Sequence, residues 1–254
     1  MSEVLSRFIG GRVLGERDFL WAVGSVMLFS DFVVAATPVL KQGKVAHRRI
    51  SLAVLATSTL AYTAMASRWS HLDARDPIPR DKPGHTTQAA RYLQWLVNAP
   101  LLIVILFLNA GASPSHAFVT MFMADFAIIQ HIVASLVPNP FKWGCFVVGL
   151  TALFFAFIQI ILNAIRGADI DWSCGRPIGQ HIFHAKVLTT LWIAYPMVWA
   201  LFNLANLISP TAEAVAYGSL DVLCGPFFLW LVLRPRREPA SKESKAGAQP
   251  CEPA

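Results

Sequence analysis

Charge is scarce in this chain: Asp, Glu, Lys and Arg make up 14% of its 254 residues, against about 25% in an ordinary water-soluble domain. With 55% of residues hydrophobic and a mean hydropathy of +0.51, too little polar surface remains to clothe a fold in water, which excludes a soluble enzyme. Cysteine is equally sparse. Cys145, Cys174, Cys224 and Cys251 form no CxxC pair and have no zinc-ligand spacing, so neither a disulfide framework nor a metal site is indicated. Strict alternation of apolar and polar residues is also missing, which excludes a membrane β-barrel. The opening stretch MSEVLSRFIGGRVLGERD mixes acids with arginines and lacks the short apolar region of a cleaved signal. The net charge of +6 comes from short links and the C-terminal stretch rather than from one folded face. Anionic lipid headgroups, not nucleic acid, are therefore the expected partner.

What the chain has in plenty is apolar sequence in long runs. Stretches nearly free of charge cover 19–40, 50–67, 92–108, 117–136, 143–165, 187–208 and 214–233, each about long enough to cross ~30 Å of hydrocarbon as a helix. The fold class that follows is an all-α membrane protein, a seven-transmembrane-helix bundle. Residues 92–124 contain no charged side chain, too long a run for one crossing, and the turn chemistry of Asn109-Ala-Gly-Ala-Ser-Pro-Ser-His116 divides them. Pro138-Asn-Pro140 and Ser209-Pro210 break the chain in the same way. The link after the first span holds Lys41, Lys44, Arg48 and Arg49 with no acid, and the chain from Arg234 holds five basic residues against three acidic. The positive-inside rule assigns both to the cytoplasm and the N-terminus to the outside, with twelve Lys/Arg inside and nine outside. The chain then divides into an extracellular segment 1–18, a transmembrane domain 19–234 and a tail 235–254. The tail has no large apolar residue and is expected to be disordered.

An ionised side chain at mid-bilayer costs roughly 2.5–3.5 kcal/mol, so the polar residues inside the spans are the informative ones. They are Asp31, Asp125, His131 and Asp221, with Arg91 at the mouth of span three, and the amides Gln94, Asn98, Gln130, Gln159 and Asn163. Arg91, Gln94, Trp95 and Asn98 follow i, i+3, i+4, i+7 on span three, and Trp192, Tyr195, Pro196 and Trp199 do so on span six. Tyr217, Asp221 and Gly225 are spaced by four on span seven. Three helices thus carry one polar and aromatic stripe each. Such stripes face neighbouring helices, where they form either a small-molecule site or a packed core whose Trp and Tyr bond to nearby carbonyls.

The string ArgTyrLeuGlnTrpLeuValAsnAlaProLeuLeu at 91–102 resembles the third helix of microbial (type 1) rhodopsins, and TrpIleAlaTyrProMetValTrp at 192–199 their sixth. LeuAspVal at 220–222 is similar to the seventh and AlaAsp at 124–125 to the fourth, so the resemblance spans about 19–234. G-protein-coupled receptors would instead carry Asp/Glu-Arg-Tyr at the end of span three and AsnProxxTyr in span seven, and neither is present. The resemblance implies a retinal cage of Trp95, Trp192, Tyr195 and Trp199, with Asp221 in the counterion and Arg91 as the charge beneath it. It also implies where the chain departs from the family. The retinal-binding lysine lies one turn after the span-seven aspartate, and that position is Gly225, followed by Pro226. The span-three proton acceptor is matched by Gln94, the internal proton donor by Ile105, and a cage threonine by Asn98.

With both the lysine and the acceptor carboxylate gone, Arg91 and Asp221 are expected to balance each other, directly or through water, with Tyr195 donating to the carboxyl group. Glu213 is expected to be an exposed loop carboxylate, and Asp125 to bond across helices. Residues 166–186 read as a long link between spans five and six. Gly225 leaves either a cavity or a collapsed cage. The subgroup that this pattern resembles is the fungal opsin-related proteins lacking the lysine, which implies a plasma-membrane protein linked to stress response, acting as a regulator or scaffold on another membrane protein. It implies no covalently bound cofactor, no metal and no catalytic residue. Noncovalent retinal, or another apolar ligand, is the alternative use of the pocket; self-association into a homo-oligomer stays open.

Overall fold

The computed structural model describes residues 16–37, 45–67, 89–137, 139–173, 180–205 and 207–234. The expected extracellular segment up to residue 15, the basic loop residues Lys41 and Lys44, and the tail from 235 lie outside the described residues. Seven helical rods succeed one another: α1 (Glu16–Ala36), α2 (Val45–Ala66), α3 (Ala89–Ala110), α4 (Pro114–Leu136), α5 (Asn139–Ser173), α6 (Gln180–Trp199) and a seventh rod in two pieces, α7 (Pro210–Val222) and α8 (Phe228–Leu233). Six of the seven are long and apolar enough to cross a membrane. The exception is α2, whose composition is diluted by hydroxyl residues. Its Ser51, Thr57, Ser58, Thr59 and Thr63 each donate to the carbonyl four residues back, at 2.8–2.9 Å, so their polar hydrogens are satisfied within the helix.

The ends of the rods follow from local chemistry. Gly111, at φ +63°, closes α3 in a left-handed conformation, and the Ala112 N–H reaches back to the Phe107 carbonyl at 3.1 Å, the arrangement glycine permits after a helix. Ser113 and Ser209 precede prolines at the first helical positions of α4 and α7. The Ser209 hydroxyl accepts from the Ala212 N–H at 3.2 Å. Near the start of α2, Arg48 donates to the Val34 carbonyl at 3.1 Å and to that of Ala35, capping the end of α1.

The fifth helix runs on to Ser173, past Arg166, so the long link expected over 166–186 shrinks to the stretch between Ser173 and Gln180. A close approach of α3 and α5 accompanies the extension: a Cβ on Gly167 would stand 2.9 Å from Ala110, which only glycine avoids.

Polarity in this bundle is inverted relative to a protein in water. Phe29, Phe32, Leu60, Phe118 and Phe154 lie on the outside, 65–72% exposed, while Ser58, Arg91, Gln94, Asn98, His131 and Asp221 are buried. An apolar rim around a polar interior is what a hydrocarbon solvent selects.

Candidate functional site

The seventh rod organises the site. Its Glu213, Tyr217 and Asp221 are spaced by four, and directly after Asp221 the helix widens into a π-turn over Leu223–Phe227. The Phe228 N–H bonds back to the Leu223 carbonyl, five residues away. The physical cause is Pro226, which has no N–H and whose ring would clash with the carbonyl four residues before it. A second π-turn, Ala200–Leu204, follows Pro196 in the sixth rod. The turn after Asp221 borders, through Cys224 and Gly225, one cavity of about 100 Å³ lined from α2, α3, α4, α5, α6 and the seventh rod.

Asp221 sits at the wall of this cavity, 4% exposed, and receives four hydrogen bonds from neutral donors. Its Oδ2 accepts from Tyr62 Oη at 2.6 Å and from Gln94 Nε2 at 3.2 Å. Its Oδ1 accepts from Tyr195 Oη at 2.6 Å and from Trp95 Nε1 at 3.3 Å. Four helical rods thereby meet at one carboxyl group. The rings above it lock one another: Trp95 stands edge-on to Tyr195 at 5.2 Å and against Tyr217 at 4.9 Å, and Tyr195 stacks on Tyr217 at 5.9 Å. At the far side Trp199 stacks on Phe146 at 5.3 Å and donates from Nε1 to Tyr92 Oη and Ser135 Oγ, both at 3.2 Å.

The residues of the expected cage come together, and Arg91 stands apart from them. Gln94, Trp95, Asn98, Trp192, Tyr195, Trp199, Asp221 and Gly225 all line the cavity. Arg91 does not, and a direct ion pair between it and Asp221 is corrected to one with Glu213, although the charge of Arg91 still acts on the Asp221 carboxyl group. Arg91 Nη1 pairs with Glu213 Oε1 at 3.7 Å, and its guanidinium lies over the Tyr217 ring at 4.8 Å. The helical spacing accounts for this: Arg91 stands level with Tyr217, one turn before Asp221, and Glu213, one turn earlier still, meets the arginine. Glu213 is accordingly no exposed loop carboxylate. It lies in the first turn of α7, with its side chain 17% exposed. Asp125 departs as well: it is half-buried on α4, and its Oδ1 has no hydrogen-bond partner among the described residues. Asp31 Oδ1 is likewise unpartnered there.

Two contributors were not anticipated from sequence. Tyr62 supplies one of the shortest bonds to Asp221, and Ser58, one turn before it on α2, accepts from Asn98 Nδ2 at 2.8 Å and from Gln94 Nε2 at 3.4 Å. Their spacing of four, with Ser51 seven residues before Ser58, is the stripe that would have revealed them.

Imine-linked retinal requires a primary amine opening on the cavity. No described residue lining it is a lysine. Lys142 stands in the first turn of α5 and Lys186 on an exposed face of α6. The described residues lining the cavity therefore do not fit a chromophore held through an imine. At Gly225 there is room for a side chain to begin, since a Cβ would meet only Met27 Sδ at 3.6 Å and Leu55 Cδ2 at 3.9 Å among its nearest neighbours.

Comparison with known proteins agrees with this architecture. The family of bacteriorhodopsin-like proteins matches residues 16–237. The chain is 37% identical over 221 residues to protein FDD123 of Trametes versicolor, covering 85% of this chain and 76% of that protein. It is 30% identical over 229 residues to the opsin-like protein carO of Fusarium fujikuroi, covering 85% and 72%. Among solved structures, the light-driven proton pump rhodopsin of Coccomyxa subellipsoidea superposes with a TM-score of 0.75 at 26% identity, covering 87% of this chain and 96% of that one. From its seven rods, its central carboxyl cluster and these likenesses, the chain belongs to the bacteriorhodopsin-like family of the type 1 rhodopsin superfamily.

Proposed function

We propose that this family member forms no retinal imine, holds an apolar, retinoid-like molecule noncovalently, and acts in the plasma membrane as a stress-related regulator or scaffold of another membrane protein rather than as an ion pump or channel. The observation that carries the reading is the cavity itself: it is walled by Trp95, Trp192, Tyr195 and Trp199, and Gly225 stands at its edge with no amine among the described lining residues. The polar groups support it further. Gln94, in place of a span-three carboxylate, has no acid to accept a proton, and Asp221 is held by four donors that need no bound cation to satisfy it. In this reading the N-terminus is extracellular and the tail cytoplasmic, where its basic residues meet anionic lipid.

The test is purification in the presence of all-trans retinal, comparing the native chain with Gly225→Lys and with Gly225→Lys combined with Gln94→Asp. A red-shifted visible band is expected in the lysine variants, most strongly in the double variant, whose new carboxylate balances a protonated imine. The native chain is expected to show none. A visible pigment in the native protein, or a light-dependent current from it, overturns the reading.

A further inference from the structure

The polar groups of the cavity divide into two sets, and one set is incomplete. Around Asp221 each oxygen accepts twice. Along α3 the hydrogen-bond chain runs the other way and ends on bare acceptors. The Ser58 hydroxyl donates its only hydrogen to the Val54 carbonyl at 2.9 Å, because a carbonyl can only accept. Ser58 Oγ must then accept from Asn98, so the atom 2.8 Å away is the Asn98 amide nitrogen. The same logic orients Gln94, whose nitrogen faces both Ser58 and the Asp221 carboxyl group. Both side-chain carbonyls are thereby turned away from this chain of donors. Gln94 Oε1 and Asn98 Oδ1 have no donor among the described residues, although Gln94 is 2% and Asn98 8% exposed and both line the cavity.

A third acceptor faces the same space from α4. His131 Nδ1 lies 2.7 Å from the Ala127 carbonyl and must carry the proton there. Its Nε2 has no partner among the described residues, in a ring 8% exposed that lines the cavity. With one ring proton already committed, Nε2 offers a lone pair. All three unmet groups are acceptors. A buried acceptor without a donor costs about 1–3 kcal/mol, so what these three atoms call for is a donor.

We infer that the cavity is built for an apolar molecule bearing a hydroxyl donor, an alcohol rather than an aldehyde or a carboxylate, with the one hydroxyl hydrogen given to Asn98 Oδ1. This rests on the noncovalent-ligand reading above and names its chemical class. An aldehyde brings only acceptors and would face like against like. A carboxylate adds a buried negative charge beside Asp221. An ammonium would donate well but needs a free carboxylate when buried, and Asp221 is taken by four donors and Glu213 by Arg91.

The experiment uses one polyene with three heads: all-trans retinol, all-trans retinal and all-trans retinoate, titrated into the full chain in nanodiscs, with binding read from quenching of tryptophan emission. Retinol is expected to bind at least about tenfold more tightly than retinal, the value of one well-made hydrogen bond, and retinoate more weakly than either. In Asn98→Leu the preference of retinol over retinal should fall to about threefold or less. In Ile105→Val, which keeps every acceptor, the preference should persist. Retinal binding as tightly as retinol to the native chain would overturn the alcohol assignment while leaving a noncovalent retinoid site standing. Failure of all three to saturate would sink the ligand reading and the assignment with it.

Discussion

The two polar halves of the cavity are built from the same helices and solve opposite problems. At Asp221, donors from α2, α3 and α6 converge on a group that can only accept while ionised, and nothing further is required from outside. Along α3, Gln94 donates to Ser58 and Asp221 and Asn98 donates to Ser58, and both leave their carbonyls unmet. The first half is a structural clamp joining four rods. The second is unfinished in the protein alone, which is the property expected of a recognition surface. On the proposal above, stability and ligand choice fall to adjoining residues, with Gln94 shared by both halves.

Substitutions separate the two halves by the size and kind of their effect. Asp221→Leu strands four buried donors at once and is expected to destabilise the bundle by at least about 3 kcal/mol, read as loss of the folded fraction in thermal or denaturant melts in detergent. Tyr62→Phe removes one of the two shortest bonds to the carboxyl group and should cost about 1.5–3 kcal/mol in the same melts. A double-mutant cycle of Arg91→Met and Glu213→Gln should give a coupling of about 1 kcal/mol, since the pair is largely but not fully withdrawn from solvent. The corresponding cycle of Arg91→Met and Asp221→Asn should give less. Asn98→Leu should change ligand-free stability by no more than about 1 kcal/mol, because the lost bond to Ser58 is offset by removal of an unmet carbonyl. A larger loss there than in Tyr62→Phe would invert the contrast between clamp and recognition surface.

The stripes on span three, span six and span seven were legible because they place rare residue types at helical spacing in otherwise apolar runs. Arg91, Gln94, Trp95 and Asn98 could fall nowhere but on one face. Tyr62 escaped for the opposite reason. It lies among hydroxyl residues that bond to their own helix, and these mask the side chain that reaches across to Asp221. Glu213 was missed as the direct partner of Arg91 because it follows a Ser-Pro break and reads as loop, although its spacing of four from Tyr217 and eight from Asp221 continues the same stripe. Helix ends were the least legible feature. A scarcity of charge marks where hydrocarbon begins and ends, whereas backbone hydrogen bonding carries α5 past Arg166 to Ser173 and α6 back to Gln180. The π-turn after Asp221 falls on Gly225-Pro226, but a kink and a widened turn look the same in sequence.

The claim on which the rest depends is that no amine in the native protein meets a polyene aldehyde inside the bundle. The direct measurement is reductive trapping: the native chain and Gly225→Lys are incubated with all-trans retinal, treated with borohydride to convert any imine to a stable secondary amine, and mapped by peptide mass spectrometry. A retinyl adduct is expected at position 225 in the variant, and no stoichiometric adduct on any residue of the native chain. A stoichiometric retinyl adduct at a native lysine, abolished by Trp192→Ala, would contradict that claim.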